Sequence, residues 1–285
     1  MTDTATWRTL LARAEARLAQ RQEAVWLVER ASGLDGAELM LELDAAVPAR
    51  VLPFYDDMVD RRAAGEPLQY VLGRWAFRDL DVMVDRRVLI PRPETEQVVD
   101  IALAELRGLA LERPALVVDL GTGSGVIALS IAAEAPGAEV LATDRSADAL
   151  SVARGNLAGL GMRGATRVRL FEGDWFDALP VEHRGNVNLI VSNPPYVAAG
   201  EELPDEVVCW EPGDALVAGP TGLEAIERIV SGAPGWLSRP GALVVELAPH
   251  QADAAIGLAQ RAGFDGARVE PDLSGRARAL VARVA

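Results

Sequence analysis

The sequence predicts an α/β protein built on a mostly parallel, seven-stranded sheet, with a small helical domain ahead of it. Three features lead there. After Pro114 short apolar runs alternate with helical segments, which is the signature of a parallel sheet with right-handed crossovers covered on both faces. The first of those runs ends in a glycine-rich turn that opens a helix, and ahead of residue 74 only helical periodicity is found.

The elements follow in order. From Trp7 to about Ala31 the residues Trp7, Leu10, Leu11, Ala14 and Leu18 recur at helical spacing,. Further short helices reach Gly65, broken at Gly33, Gly36, Pro48 and Pro53,. Residues 1–73 therefore read as a helical domain with no chemistry of its own. Residues 74–90 read as a β-hairpin linker, because Leu80, Val82 and Val84 alternate with polar residues and Val88-Leu89-Ile90 follow a charged turn,. Pro91-Arg92-Pro93-Glu94-Thr95-Glu96 stops that strand and opens a helix, with prolines where a missing N–H is tolerated,.

The main domain, 91–285, alternates from there. Strands are expected at 116–120, 139–143, 167–171, 187–192 and 242–247, with helices over 123–135 and 147–160 and from near Gly222. Segments 264–270 and 277–284 supply two last strands that can close the sheet as an antiparallel pair, and 197–221 shows little regular structure.

Composition narrows the function classes. No apolar run approaches the roughly 20 residues a membrane span needs,. The first 20 residues lack the basic-then-apolar pattern of a secretory signal, so a cytoplasmic location is expected, with no membrane partner,. Cys209 is the single cysteine and stands far from His183 and His250, so neither an internal disulfide nor a metal-ligand spacing is visible,. The net charge of −14 lacks the basic footprint of proteins that hold long nucleic acids, so no stable nucleic-acid binding is expected,.

The glycine-rich turn reads Asp119-Leu120-Gly121-Thr122-Gly123-Ser124-Gly125 and runs into Val126-Ile127-Ala128-Leu129. Glycines allow the sharp turn and the close approach of a ligand, and the helix N-terminus offers free N–H groups to a carboxylate or phosphate. Val126 stands where a dinucleotide fingerprint needs a small residue,, which disfavours a nicotinamide dehydrogenase. Asp144 ends the next strand, where an acid can take both ribose hydroxyls, and an acid at 119 suits an ammonium group. Together these point to S-adenosyl-L-methionine, with Gly121, Thr122, Gly123, Ser124, Gly125 and Asp144 as its binding residues.

Asn193-Pro194-Pro195-Tyr196 follows the fourth strand, and ligands of open parallel sheets sit beyond such strand ends, near the switch point,. A planar amino or amide nitrogen is a poor nucleophile, because its lone pair is delocalised. Its N–H groups can be gripped by the Asn193 oxygen and the Pro194 carbonyl, which aligns the nitrogen with the methyl and favours charge development in the transition state. Successive prolines fix the backbone and leave carbonyls unmasked, and Tyr196 can stack on the planar group. The tetrad Asn193, Pro194, Pro195 and Tyr196 is thus the candidate catalytic and substrate-binding motif. On residues alone the methylated nitrogen could belong to a glutamine, an adenine or a cytosine.

Several runs together carry a family resemblance. They are 67–73 (PLQYVLG), 88–96 (VLIPRPETE), Gly121–Gly125, Asn193–Tyr196, Glu211-Pro212 with Ala215-Leu216, Gly219 and Gly222-Leu223, and Asp272-Leu273 with Gly275 and Arg278. Over nearly its whole length the chain resembles the bacterial methyltransferases that modify a glutamine amide nitrogen of peptide chain release factors. The resemblance implies a Rossmann-like class I methyltransferase fold, a helical N-terminal domain that docks the release factor, and the glutamine of its Gly-Gly-Gln loop as acceptor. It also implies that Trp175 flanks the adenine with Asp174 beside it, and that Asn193 contacts the donor as well as the glutamine. Departures from the usual pattern are Arg78-Asp79 in the hairpin, Trp210 before Glu211, and Ala248 after the fifth strand. Two alternatives remain: an adenine-N6 or cytosine-N4 nucleic-acid methyltransferase that flips its base out of the stack, and a catalytically silent protein that keeps the fold.

Overall fold

The computed structural model describes residues 5–109, 111 and 114–285. The described residues form two compact units, one of those up to Arg74 with Asp205–Trp210, the other of the remainder from Trp75 onward.

In the first unit α1 (Trp7–Glu15), α2 (Arg21–Ser32), α3 (Gly36–Glu42), α4 (Leu52–Ala63) and α5 (Leu68–Leu72) pack around Leu10, Leu27, Val28, Leu39, Tyr55 and Met58. Thr6 and Thr9 form a reciprocal cap at the start of α1,. The expected continuous helix from Trp7 to about Ala31 is in fact two, because the chain turns between Glu15 and Arg21. No glycine or proline marks that turn, and it serves to fold α1 back onto α2. The later segment Asp205–Trp210 also belongs here, tied by Arg62, whose guanidinium meets both Glu23 and Glu206 at 2.8 Å.

The hairpin strands are β1 (Arg74–Phe77) and β2 (Leu80–Met83), joined at Arg78-Asp79. This corrects the expected hairpin, which turned at 85–87 and used 88–90 as its second strand. Val88 instead donates to the Asp85 carbonyl in a turn, and the Ile90 N–H goes to the Glu211 carboxylate at 3.1 Å rather than to a ladder. Arg78 accounts for its unusual presence: at φ 52° it reaches Glu134 at 2.6 Å and Asp100 at 2.7 Å.

Then come α6 (Pro93–Gly108), β3 (Ala115–Leu120), α7 (Val126–Glu134), β4 (Ala138–Asp144), α8 (Ala147–Gly159), α9 (Met162–Ala165), β5 (Val168–Glu172) and β6 (Val187–Ser192). The chain continues through β7 (Val197–Ala198), α10 (Asp205–Trp210), β8 (Val217–Gly219), α11 (Glu224–Gly232), β9 (Leu237–Glu246), α12 (Ala252–Arg261), β10 (Gly266–Pro271) and β11 (Ala277–Val284). The large sheet runs β10-β11-β9-β6-β3-β4-β5, parallel except for β11, which is antiparallel to both neighbours. This is a seven-stranded Rossmann-like sheet. One face, with Val118, Leu120, Ile190, Leu243 and Val245, packs on Ile226, Ile229, Ala255 and Ala259 of α11 and α12; α6 and α7 cover strands β6, β9 and β4. Among the described residues no helix is long and apolar enough to cross a membrane.

Two further expectations are corrected. The stretch 197–221, expected to show little regular structure, holds β7 and β8, which pair in parallel, with α10 between them in sequence. The fifth main strand begins earlier than 242, because Leu237 already pairs with Val187.

Candidate active site

Strand order reverses at β3, which has β4 on one side and β6 on the other. Ligands of open α/β sheets bind at that crevice. A cavity of about 1010 Å³ opens there, lined among others by the glycine turn, Asp144, Trp175, Asn193 and Pro195.

The turn after β3 uses three left-handed backbones, Gly121 at φ 73°, Gly123 at 56° and Gly125 at 89°. Helix α7 starts at Val126 and not at 123, because Gly123 to Gly125 are spent in that turn. The N–H groups of Gly121 and Thr122 both donate to the Thr143 carbonyl, at 2.9 and 2.8 Å, which draws the turn across the end of β4. Gly125 precedes α7 and gives no side-chain cap; the Ala128 N–H goes to Asp119, which leaves those of Val126 and Ile127 for a ligand,.

Asp119, which the sequence suggested for an ammonium group, is not among the residues that line the cavity, and its Oδ1 has no partner among the described residues. It is wholly buried, and one carboxylate oxygen accepts from the Thr122 hydroxyl at 2.6 Å and the Ala128 N–H at 3.1 Å. It therefore ties β3, the turn and α7 together, and burial pushes its carboxyl up to about 7,. Asp144 lines the cavity, accepting from the Gly123 N–H at 2.8 Å and the Ser146 N–H at 2.9 Å, and burial raises its carboxyl too.

Trp175 stands at φ 49°, one of two non-glycine residues with a left-handed backbone among the described residues. Its ring lies 3.3 Å from where a Cβ on Gly121 would be, so a side chain at 121 would press the ring outward by a few tenths of an ångström,. Asp174 beside it pairs with Arg228 at 2.6 Å.

Asn193 follows β6 where Ser192 is paired with Leu120 of β3 and Val245 of β9. The end of β6 therefore lies between the glycine turn and the end of β9. The structure brings Asn193 and Pro195 to the cavity lining; Pro194 is buried, and the Tyr196 ring packs on the core with its hydroxyl 3.3 Å from Glu246. The Tyr196 carbonyl accepts from Gln251 at 2.9 Å, and a Cβ on Gly222 would meet that carbonyl at 2.7 Å. Ala248, one of the expected departures from the resembled pattern, sits at φ −75°, a backbone any residue adopts.

Sequence reasoning missed three residues here. Thr95 lines the cavity, accepts from Asn193 Nδ2 at 3.1 Å and donates to Glu246 at 2.8 Å. Glu246 is fully buried at the end of β9, its carboxyl pushed up to about 7 by burial. Asn156 of α8 holds β2 and the glycine turn, bonding the Ser124 carbonyl at 2.8 Å and Met83. Only Thr95 carried a signal, as part of the 88–96 run. Among the described residues no group of three His, Cys, Asp or Glu could hold a metal ion.

Fold and site are those of a methyltransferase. Residues 98–209 match the methyltransferase small domain family, and 9–73 match the PrmC N-terminal domain. A solved methyltransferase from Pyrococcus furiosus shares the fold, with TM-score 0.51 and 17% identity over 73% of this chain and 90% of that chain. The chain is 44% identical to the release factor glutamine methyltransferase of Bordetella pertussis over 90% of its length and 92% of the relative's. It is 41% identical to the one of Cereibacter sphaeroides over 92% of its length and 91% of that protein's. This chain belongs to the release factor glutamine methyltransferase family.

Proposed function

We propose that the protein transfers a methyl group from S-adenosyl-L-methionine to the side-chain amide nitrogen of the glutamine in the Gly-Gly-Gln motif of peptide chain release factors. The observation that carries this reading is one cavity that holds both the glycine turn and Asn193. Family membership names the acceptor.

The residues present suit the donor. Uncapped N–H groups at the start of α7 can take its carboxylate, Asp144 stands at the rim for ribose hydroxyls, and the Trp175 ring over Gly121 offers a flat face to the adenine,. Bound there, it supplies an electrophilic methyl on a sulfonium. Asn193 would accept an N–H of the glutamine amide and turn its nitrogen toward that methyl, with Pro194 and Pro195 fixing the backbone and Tyr196 backing the tetrad from the core side. Tyr196 would do so from its bond to Glu246, packed as a wall; stacking on the amide would need it to leave that position. Alignment of this kind can supply about 7–11 kcal/mol of the barrier without a covalent intermediate. We place residues 1–73 as the docking unit for the release factor, 74–90 as the linker and 91–285 as the methyltransferase domain, acting in the cytoplasm.

Replacing Asn193 by Ala tests the reading. The expected rate falls about 100-fold or more with donor affinity within a few-fold, as for loss of one transition-state hydrogen bond. Methylation at the wild-type rate would refute it.

A further inference from the structure

One buried polar chain runs from the end of β9 to the cavity lining at Thr95 and Asn193. Glu246 at the end of β9 is fully buried, and its two oxygens are both engaged, Oε2 by the Thr95 hydroxyl at 2.8 Å and Oε1 by the Tyr196 hydroxyl at 3.3 Å. Thr95 is 2% exposed and is also met by Asn193 Nδ2 at 3.1 Å. Donors and acceptors in this chain are not interchangeable. An ionised carboxylate only accepts, and a hydroxyl has a single proton to give. Once Thr95 has donated to Glu246, its oxygen can only accept from Asn193. The Asn193 amide must then turn its NH₂ group to Thr95, which leaves Oδ1 as the end available to the cavity.

We propose that Thr95 and Glu246 are positioning residues that fix the Asn193 side chain with its oxygen toward the acceptor amide. This rests on the reading of Asn193 as the group that accepts the glutamine N–H. With the amide reversed, the Asn193 NH₂ would confront the substrate NH₂, two donors with nothing between them to accept. The same polarity disfavours a carboxylate side chain, so it bears on glutamine against glutamate as well as on rate. The groups facing Glu246 are Thr95 and Glu94 of α6, Tyr196 after β6 and Arg278 of β11. Arg278 supports the ionised form, while burial and Glu94 oppose it. Protonated Glu246 could donate to Thr95, free the Thr95 proton for Asn193 Oδ1, and allow the reversal.

The test uses the full chain, an intact release factor and labelled donor. Thr95→Val keeps the shape and removes the hydroxyl; its kcat is expected to fall about 10- to 100-fold, with donor affinity by calorimetry unchanged within twofold. Thr95→Ser is expected to recover most of that loss, which a purely structural role for the threonine methyl would not produce. Wild-type kcat is expected to fall as pH drops through about 7, and Glu246→Gln to lose that acid limb,. If Thr95→Val fails to bind donor, Thr95→Ser and the Glu246→Gln pH profile decide. Thr95→Val within threefold of wild type, or Thr95→Ser as slow as Thr95→Val, overturns the proposal provided Asn193→Ala is inactive. An active Asn193→Ala overturns the reading of Asn193 instead.

Discussion

Trp175 and Gly121 depend on each other. Trp175 accepts a left-handed backbone at φ 49°, a conformation that is uncommon for a bulky residue and costs on the order of 1–3 kcal/mol,. What that backbone achieves is a ring laid over a glycine that has no side chain to displace it. Gly121→Ala introduces two penalties together, a Cβ at φ 73° and a contact at 3.3 Å with the ring. The expected outcome is a donor dissociation constant raised about tenfold or more, read by calorimetry, with a melting temperature a few degrees lower. Unchanged affinity would show that the ring does not form the donor's wall. Asn193 is the other decisive residue, and its orientation depends on Thr95 and Glu246, which lie 98 and 53 positions away in the chain. Such partners are invisible to any reading of local pattern, whereas the tetrad itself announced its chemistry.

At the scale of elements, the site depends on how β3, the glycine turn and α7 are joined. Asp119 makes that joint from inside the core, and its carboxyl rises from 3.8 to about 7. The folded state therefore keeps a proton that the unfolded chain releases, so this group favours folding below about pH 4 and progressively less as pH climbs to about 7,. Asp119→Asn removes the titration while keeping an acceptor for Thr122 and Ala128. Relative to wild type its melting temperature should rise as pH increases from about 5.5 to 8, by several degrees; a difference that does not vary with pH would contradict this. The alternation of strands and helices was legible because buried parallel strands are largely apolar runs, as 116–118 and 189–191 are within β3 and β6,. The hairpin was misplaced because 80–84 and 88–90 both look extended, and the turn bond from Val88 to Asp85 with the long-range bond from Ile90 to Glu211 takes the second out of any ladder. The break between α1 and α2 had no glycine or proline to mark it, and β7 and β8 are too short and too far apart in sequence for local pattern to show their pairing.

For the whole molecule, the net charge of −14 and the match along nearly the full length of its relatives both favour a protein acceptor over a nucleic acid,. Segment 205–210 interrupts the methyltransferase unit and clusters with the helical one through Arg62 and Glu206. A linear reading of domain boundaries had no means to assign it there, since the ion pair spans 144 positions. The most direct measurement is incubation of the chain with labelled donor and either a purified release factor or duplex DNA, followed by mass mapping of the peptides. One added methyl on the glutamine of the Gly-Gly-Gln motif, absent with Asn193→Ala, and none on the DNA is the predicted result. Label on any other residue, or on the DNA in place of the release factor, would contradict it.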